Sequence, residues 1–305
     1  MTAAEPNDLP AGGRPVMGPQ RVTVARAEPD VDVTAGRRTD VLFWFSTVWL
    51  GLMVFAAVFA DFLPLADITA PDGDNLFGGI SRSHPMGTDS SGIDLFSQVV
   101  QGARISVVIG ACSVVVGLTI GGAIGIVSGY ARGILSGVLM WFVDVLLAFP
   151  ALVFALAIIS FVGQSLQSVV VVIAVLAIPG YARVARALTL NYANEGFVTA
   201  ARAMGASHTR VVLREILPNV IVPLSTFAAL GAAIAIIAEG ALAFLGLSDP
   251  SSTSWGNLIA AGQSQLTDSP LPALAPMVAM FFTILSLNLL GERLGTVLDP
   301  REGQL

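Results

Sequence analysis

Lysine is missing from this 305-residue chain, in which all 15 basic residues are arginine. A phosphate-binding loop of the GxxxxGK[ST] type uses its lysine to reach the phosphates, so no such loop exists here. Cysteine is almost as scarce. Cys112 stands alone inside an apolar run, which excludes an intramolecular disulfide and reads as a buried, inert thiol. The two histidines, His84 and His208, lie far apart in polar segments, and with no HExxH or CxxC pattern no metal site is expected. Charge is thin throughout. At 12% charged and 54% hydrophobic residues, with a mean hydropathy of +0.79, the chain falls outside the range of soluble domains and reads as a polytopic membrane protein. The formal net charge of −6 says little, because acids and arginines are segregated along the chain.

Residues 1–40 are polar and mixed in charge, with no sustained hydrophobic period, and read as a disordered cytoplasmic tail. Residues 41–305 read as one transmembrane domain. Requiring about 20 mostly apolar residues per crossing places six spans: Val41–Ala60, Ile105–Tyr130, Gly137–Val162, Ser168–Leu188, Asn219–Glu239 and Pro276–Gly291. Arg183 and Arg186 shorten the apolar core of the fourth, and Pro179 can bend it. Arginine sets the orientation. If the chain starts inside, the inner segments hold Arg37, Arg38, Arg132, Arg183, Arg186, Arg202, Arg210, Arg214, Arg293 and Arg301, against Arg82 and Arg104 outside. Both termini and the Glu195 loop are therefore expected on the cytoplasmic side.

The longest charged, helix-patterned stretch is EGFVTAARAMGASHTRVVLREILPNVIVP, Glu195 to Pro223. Thr199 can cap a short helix, Ala200, Ala201, Ala203 and Met204 propagate it, and Gly205 is a natural stop. A second apolar period follows through Val211, Leu213, Ile216 and Leu217, with Pro218 and Pro223 at the entry to the next span. Ala-Ala, three residues, Gly, nine residues, then x-x-Leu-Pro resembles the loop by which permease subunits of ATP-binding-cassette importers engage their ATPases. The match falls on Ala200, Ala201, Gly205, Leu217 and Pro218. Thr199 stands where that family usually has glutamate, and Glu215 where it has isoleucine. The resemblance implies ATPase coupling through Thr199, Ala200, Ala201, Arg202, Ala203, Met204, Gly205 and Ala206, with Leu217 and Pro218 closing the loop, about residues 195–219.

The first outer segment, from Asp61 to Arg104, is acidic and by itself reads as a solvated loop. Its HPMGTDSSGIDLFSQVVQGARIS resembles the HPxGTDxxGxD and GARIS stretches of dipeptide, oligopeptide and nickel importers, with Ile93 where arginine is common. DVLLAFPAL, YARVAR, AEGALAFLGL, SWGNLI and LDPR continue the likeness in order as far as Arg301. The resemblance implies an all-α membrane protein with six transmembrane helices, the type I importer (MetI-like) permease fold, and a cytoplasmic coupling helix. It further implies a second homologous permease, two cytoplasmic ATPases that use ATP and Mg, and an extracytoplasmic solute-binding protein docking near His84, Gly87, Asp89 and Asp94. No cofactor is expected on this chain, and no nucleic acid as partner. A bacterial inner-membrane location follows.

Two carboxylates fall within the spans. Asp144 lies about two turns into the third, and an acid at that depth needs a cation, with Arg183 and Arg186 at similar depth on the fourth. An ion pair that fixes packing is favoured over a proton relay. Glu239, near the outer end of the fifth span, reads either as a water-facing helix end or as part of an outer path meeting a peptide amino group. Gly117, Gly121 and Gly125 have the small-xxx-small spacing of close helix approach.

The reading is thus an importer permease for di- or oligopeptides working by alternating access, and not an enzyme; nickel, glutathione or haem are alternative cargoes. The rival from another class is an ATP-independent secondary transporter, which would call for internal repeats with paired broken helices. A membrane hydrolase is weaker still, because no nucleophile with a partnered base can be assembled.

Overall fold

The computed structural model describes residues 33–131 and 133–298, and the side chains of residues 41–131 and 133–295. The expectations for residues 1–32, Arg132 and Arg301, and for the side chains of Arg37 and Arg38, lie outside the described residues. Eleven helices follow one another among those described: α1 Val33–Phe59, α2 Leu95–Val116, α3 Gly122–Tyr130, α4 Ile134–Ala148, α5 Ala151–Val162, α6 Leu166–Ala193, α7 Gly196–Ala203, α8 His208–Val211, α9 Leu217–Phe244, α10 Trp255–Gln263 and α11 Leu271–Leu298. Extended pairing is limited, among these residues, to one antiparallel bridge between Thr88 and Asp94.

Among the described residues five helical stretches are long and apolar enough to cross a membrane, and a sixth crossing results if the bent pair α4 and α5 counts as one span. The third span, expected from sequence over Gly137–Val162, is not one continuous helix. Its halves meet at 85°, because Phe149 is extended (ψ 132°) ahead of Pro150, whose ring disfavours a helical residue before it. Pro179 behaves differently: it lies inside α6, which runs unbroken for 28 residues.

Span boundaries also move. The second starts at Leu95, not Ile105, because Asp94 caps it by accepting from the Ser97 amide. α2 and α3 join through a π-helical turn at Gly117–Gly121, giving 36 helical residues, about 54 Å at 1.5 Å per residue and well beyond a 30 Å hydrocarbon core. The fifth crossing begins at His208 and continues through Pro218 and Pro223 to Phe244, and α1 begins inside the stretch read as tail. Hydropathy marks only the lipid-buried part of a helix, whereas the backbone ladder extends into the interface.

The centre of the bundle is α6. Its partner is α3, and the seam is made of glycines four apart. A Cβ on Gly121 would stand 2.6 Å from the Ile178 carbonyl oxygen, one on Gly125 2.4 Å from that of Ala182, and one on Gly129 2.9 Å from that of Arg186. Tyr181 fills the space that Gly117 and Gly231 leave, at 1% exposure. Cys112, expected to be buried, is only half-buried. Large apolar side chains stay exposed along α1, α4, α5 and α11, as lipid-facing or subunit-facing helices require.

Candidate functional site

The short polar helix predicted between the fourth and fifth spans exists as α7, with a shifted start. Glu195, in extended conformation, is the residue before it, and Thr199 sits within the helix, its hydroxyl turned back toward the Glu195 carbonyl at 3.5 Å. The capping role expected of Thr199 is therefore corrected. The C-terminal end matches the expectation for Gly205: its φ is +86°, its N–H donates to the Arg202 carbonyl at 3.0 Å, and the Ala206 N–H donates to that of Ala201 at 3.0 Å. That is a complete Schellman motif, which satisfies two carbonyls the helix would otherwise leave unpaired.

α7 has two faces. Val198 and Ala201 are buried in a cluster with Tyr181, Ala185, Val211, Ile216 and Val220. Thr199, Ala200, Arg202, Ala203 and Met204 point outward, Met204 being 83% exposed. Ala201 thus anchors the helix, and its neighbours are free to meet another protein. Ser207 then caps α8, and His208 Nδ1 lies 2.9 Å from the Tyr130 hydroxyl, tying this segment to the end of α3. Leu217 and Pro218 are the first two residues of α9, Leu217 packed against the same cluster and Pro218 exposed.

At the other end of the bundle, the outer-loop motif folds on itself. His84 Nδ1 meets Asp94 Oδ1 at 3.1 Å, while Asp94 Oδ2 accepts from the Ser97 amide and hydroxyl. Asp89 accepts from the amides of Ser91 and Ile93 and from Gln98 Nε2. Gly87, at φ +81°, would place a Cβ 2.6 Å from the Gly78 carbonyl oxygen. Gly87 and Asp94 are buried, so these residues shape the loop, and the surface open to a partner comes from neighbours such as Ser81, Arg82 and Ser90.

Asp144 and Arg183 meet at 2.8 Å, with both side chains more than half exposed. Arg186 does not join them. Its Nε is buried without a hydrogen-bond partner, and the side chain lines a cleft beside α7.

Glu239 is 1% exposed, which overturns the water-facing reading. It accepts from the hydroxyl of Ser254, the residue that caps α10, and its other oxygen lies against Gly256 in the first turn of that helix. A carboxylate there complements the helix dipole. The next residue, Trp255, is wholly buried and donates from Nε1 to the Val99 carbonyl at 2.8 Å. Before α10, Asp249 is held below the usual carboxylate range by the Ser251 hydroxyl and amide, and its carbonyl accepts from Asn257 Nδ2. Sequence reading missed α10 as a structural element and Tyr130, Tyr181 and Trp255 as organisers of the packing. The SWGNLI run carried the signal for α10, a serine cap followed by helix formers.

Among the described residues no group of three or more His, Cys, Asp or Glu is placed to hold a metal ion.

Several known proteins resemble this chain. The glutathione transport system permease protein GsiD of Shigella dysenteriae serotype 1 (strain Sd197) is 36% identical over 252 residues, 82% of this chain and 83% of that protein. The protein of the same name from Pectobacterium atrosepticum is 36% identical over 231 residues, 75% of this chain and 77% of its own. In fold, the chain is similar to inward-facing structures of the MetNI methionine ABC transporter. One superposes with a TM-score of 0.57 at 18% identity, covering 67% of this chain and 98% of that one. Another gives 0.54 at 17% identity, covering 66% and 96%. Residues 121–304, the part holding the glycine seam, α7 and α10, match the family described as binding-protein-dependent transport system inner membrane component. With that match and these relatives, the chain belongs to the family of inner-membrane components of binding-protein-dependent transport systems.

Proposed function

We propose that the chain is one of two permease halves of an ATP-driven importer that carries glutathione and short peptides of similar size into the cell. The observation that supports this most is α7. It is a short helix on the flank of the spanning bundle, pinned by Val198 and Ala201, closed by a Schellman motif at Gly205, and open on the Ala200, Ala203 and Met204 face, while Thr199 and Arg202 turn to the neighbouring cleft. Such a helix is stiff, projecting and backed by the core at α6, so a push on its outer face is delivered to the bundle. An ATPase subunit seated on that face would supply the push. ATP favours one arrangement of the ATPase pair, and the difference in its affinity for the two arrangements is the free energy that shifts the bundle between inward and outward access. Without lysine the chain has no phosphate-binding loop of its own, and ATP chemistry falls to the partner in this reading. The relatives' cargo, glutathione, is a small peptide, in keeping with the peptide-importer pattern of the outer loop, and selection among peptides belongs to a separate solute-binding protein. Both termini and α7 are on the cytoplasmic side in this reading.

The test is reconstitution of the chain with its homologous permease, ATPases and binding protein in proteoliposomes. Uptake of labelled glutathione or dipeptide that requires ATP on the α7 side is the expected outcome. Uptake by this chain without ATPases, driven by a proton or sodium gradient, would overturn the assignment.

A further inference from the structure

A cleft of about 1080 Å³ opens between the end of α3, the start of α4, the last turns of α6 and α7. Arg186, Arg202 and His208 line it, and among the described residues no aspartate or glutamate does. The hydroxyls at its base are satisfied internally: Ser128 donates to the Gly125 carbonyl and Ser136 to that of Ser128. Tyr130 is engaged by His208. Arg186 is different, since its Nε is buried and donates to nothing. A guanidinium held this way in a wall free of carboxylates is arranged for an anion from outside the chain.

Position selects the anion. Arg186 lies seven residues before the end of α6, about 10 Å along a helix that spans the membrane. From there an arginine can reach headgroup phosphates while its stem lies along apolar surface. Leu190, 44% exposed, lines the cleft, and Ile134 (86% exposed) and Leu135 (53%) follow one another between its lining residues Gly133 and Ser136. A soluble anion has no use for these apolar side chains, whereas acyl chains below a phosphate do.

We propose that this cleft binds the phosphate headgroup of an anionic lipid, with Arg186 and Arg202 as its donors and Ile134, Leu135 and Leu190 against its acyl chains. Because Arg186 belongs to a spanning helix and Arg202 to α7, the lipid bridges the two and sets how firmly α7 is held to the bundle. The inference rests on α6 crossing the membrane, not on the cargo or on ATP, so lipid retention and transport test separate things.

The full-length chain, purified with its partner subunits, is placed in nanodiscs of phosphatidylcholine with a minority of phosphatidylglycerol, and retained lipid is counted by native mass spectrometry. Phosphatidylglycerol is expected to be enriched roughly tenfold or more, given about 1 kcal/mol per basic residue near an anionic headgroup. Arg186→Gln and Arg202→Gln should each lose most of that enrichment. So should Gly137→Phe, which fills the cleft without altering charge and replaces a residue with open space around its Cβ position. Arg210→Gln, outside the cleft, should keep it. Equal enrichment in the wild type and all three cleft variants would overturn the proposal, as would equal loss in Arg210→Gln. Displacement of the lipid by millimolar inorganic phosphate would identify a free-anion site and overturn the lipid assignment. An acidic segment of a partner filling the cleft would remove any cleft-dependent enrichment from the assembled complex and would likewise overturn it.

Discussion

Gly205 has nothing within 4 Å of the position a Cβ would take, so its requirement is one of backbone alone, set by φ +86°. Side chains should therefore be ranked by how well they tolerate that conformation, not by size. Gly205→Asn should be mildest, Gly205→Ala should cost the α7 terminus about 1 kcal/mol, and Gly205→Val more. ATP-dependent uptake should fall in that order while the external binding protein keeps its ligand affinity. A Val variant with native uptake would show that α7 does not couple. Glu239 makes a contrasting case, because its carboxylate is used inside the fold. Glu239→Gln keeps an acceptor for Ser254 and should unfold within a few degrees of the native chain. Glu239→Ala leaves a cavity and an unmatched helix terminus, at roughly 2–4 kcal/mol. Thermal unfolding in detergent separates them; a Gln variant with native melting but abolished uptake would restore the role in an outer path.

Between elements, two glycines predict opposite outcomes, one on the α3–α6 seam and one away from it. Gly125→Val places carbon against the Ala182 carbonyl oxygen, and pushing the helices apart should cost about 1–3 kcal/mol or block assembly. Gly137→Ala, in α4 with open space around it, should be neutral or stabilising by up to about 1 kcal/mol. Detergent melting temperatures of the two variants check this. The seam was legible because a four-residue glycine period is local. Gly205 was legible for the same reason, as the end of a run of helix formers. The start of α7 was not, since threonine is a good cap in general and only the chain's path out of α6 makes Glu195 the boundary. The burial of Glu239 was hidden for a different reason: its partner Ser254 lies fifteen residues on, across a loop that hydropathy cannot fold. Asp144 could be matched to a cation because Arg183 and Arg186 were near it in helix order, though which of them answers depends on helix rotation.

For the molecule as a whole, topology is the quantity to measure. In a Cys112→Ser background, Ser90→Cys on the outer loop should react with an impermeant maleimide in intact cells. Met204→Cys, exposed on α7, should react only after permeabilisation. Reaction of both from one side would contradict an odd number of crossings between the two positions. Hydropathy counted the crossings well, because each is an independent match between apolar length and bilayer thickness. It could not see that one of them is folded over at Phe149 and Pro150, since both halves are equally apolar. That elbow has a consequence for hydration. It lies about 22 Å from the start of α4, taking 1.5 Å for each of its 15 residues. The last carbonyls of α4 and the first amides of α5 lack helical partners there, and no side chain caps α5. Hydrocarbon leaves such groups no partner, so irregular backbone at that depth is tolerated only beside protein or water. The elbow therefore needs a neighbouring subunit or water beside it. If water is that neighbour, deuterium should enter the amides of Leu152 and Val153 far faster than those of Val172 and Ile173, at the buried centre of α6, and equal protection would place a subunit against the elbow.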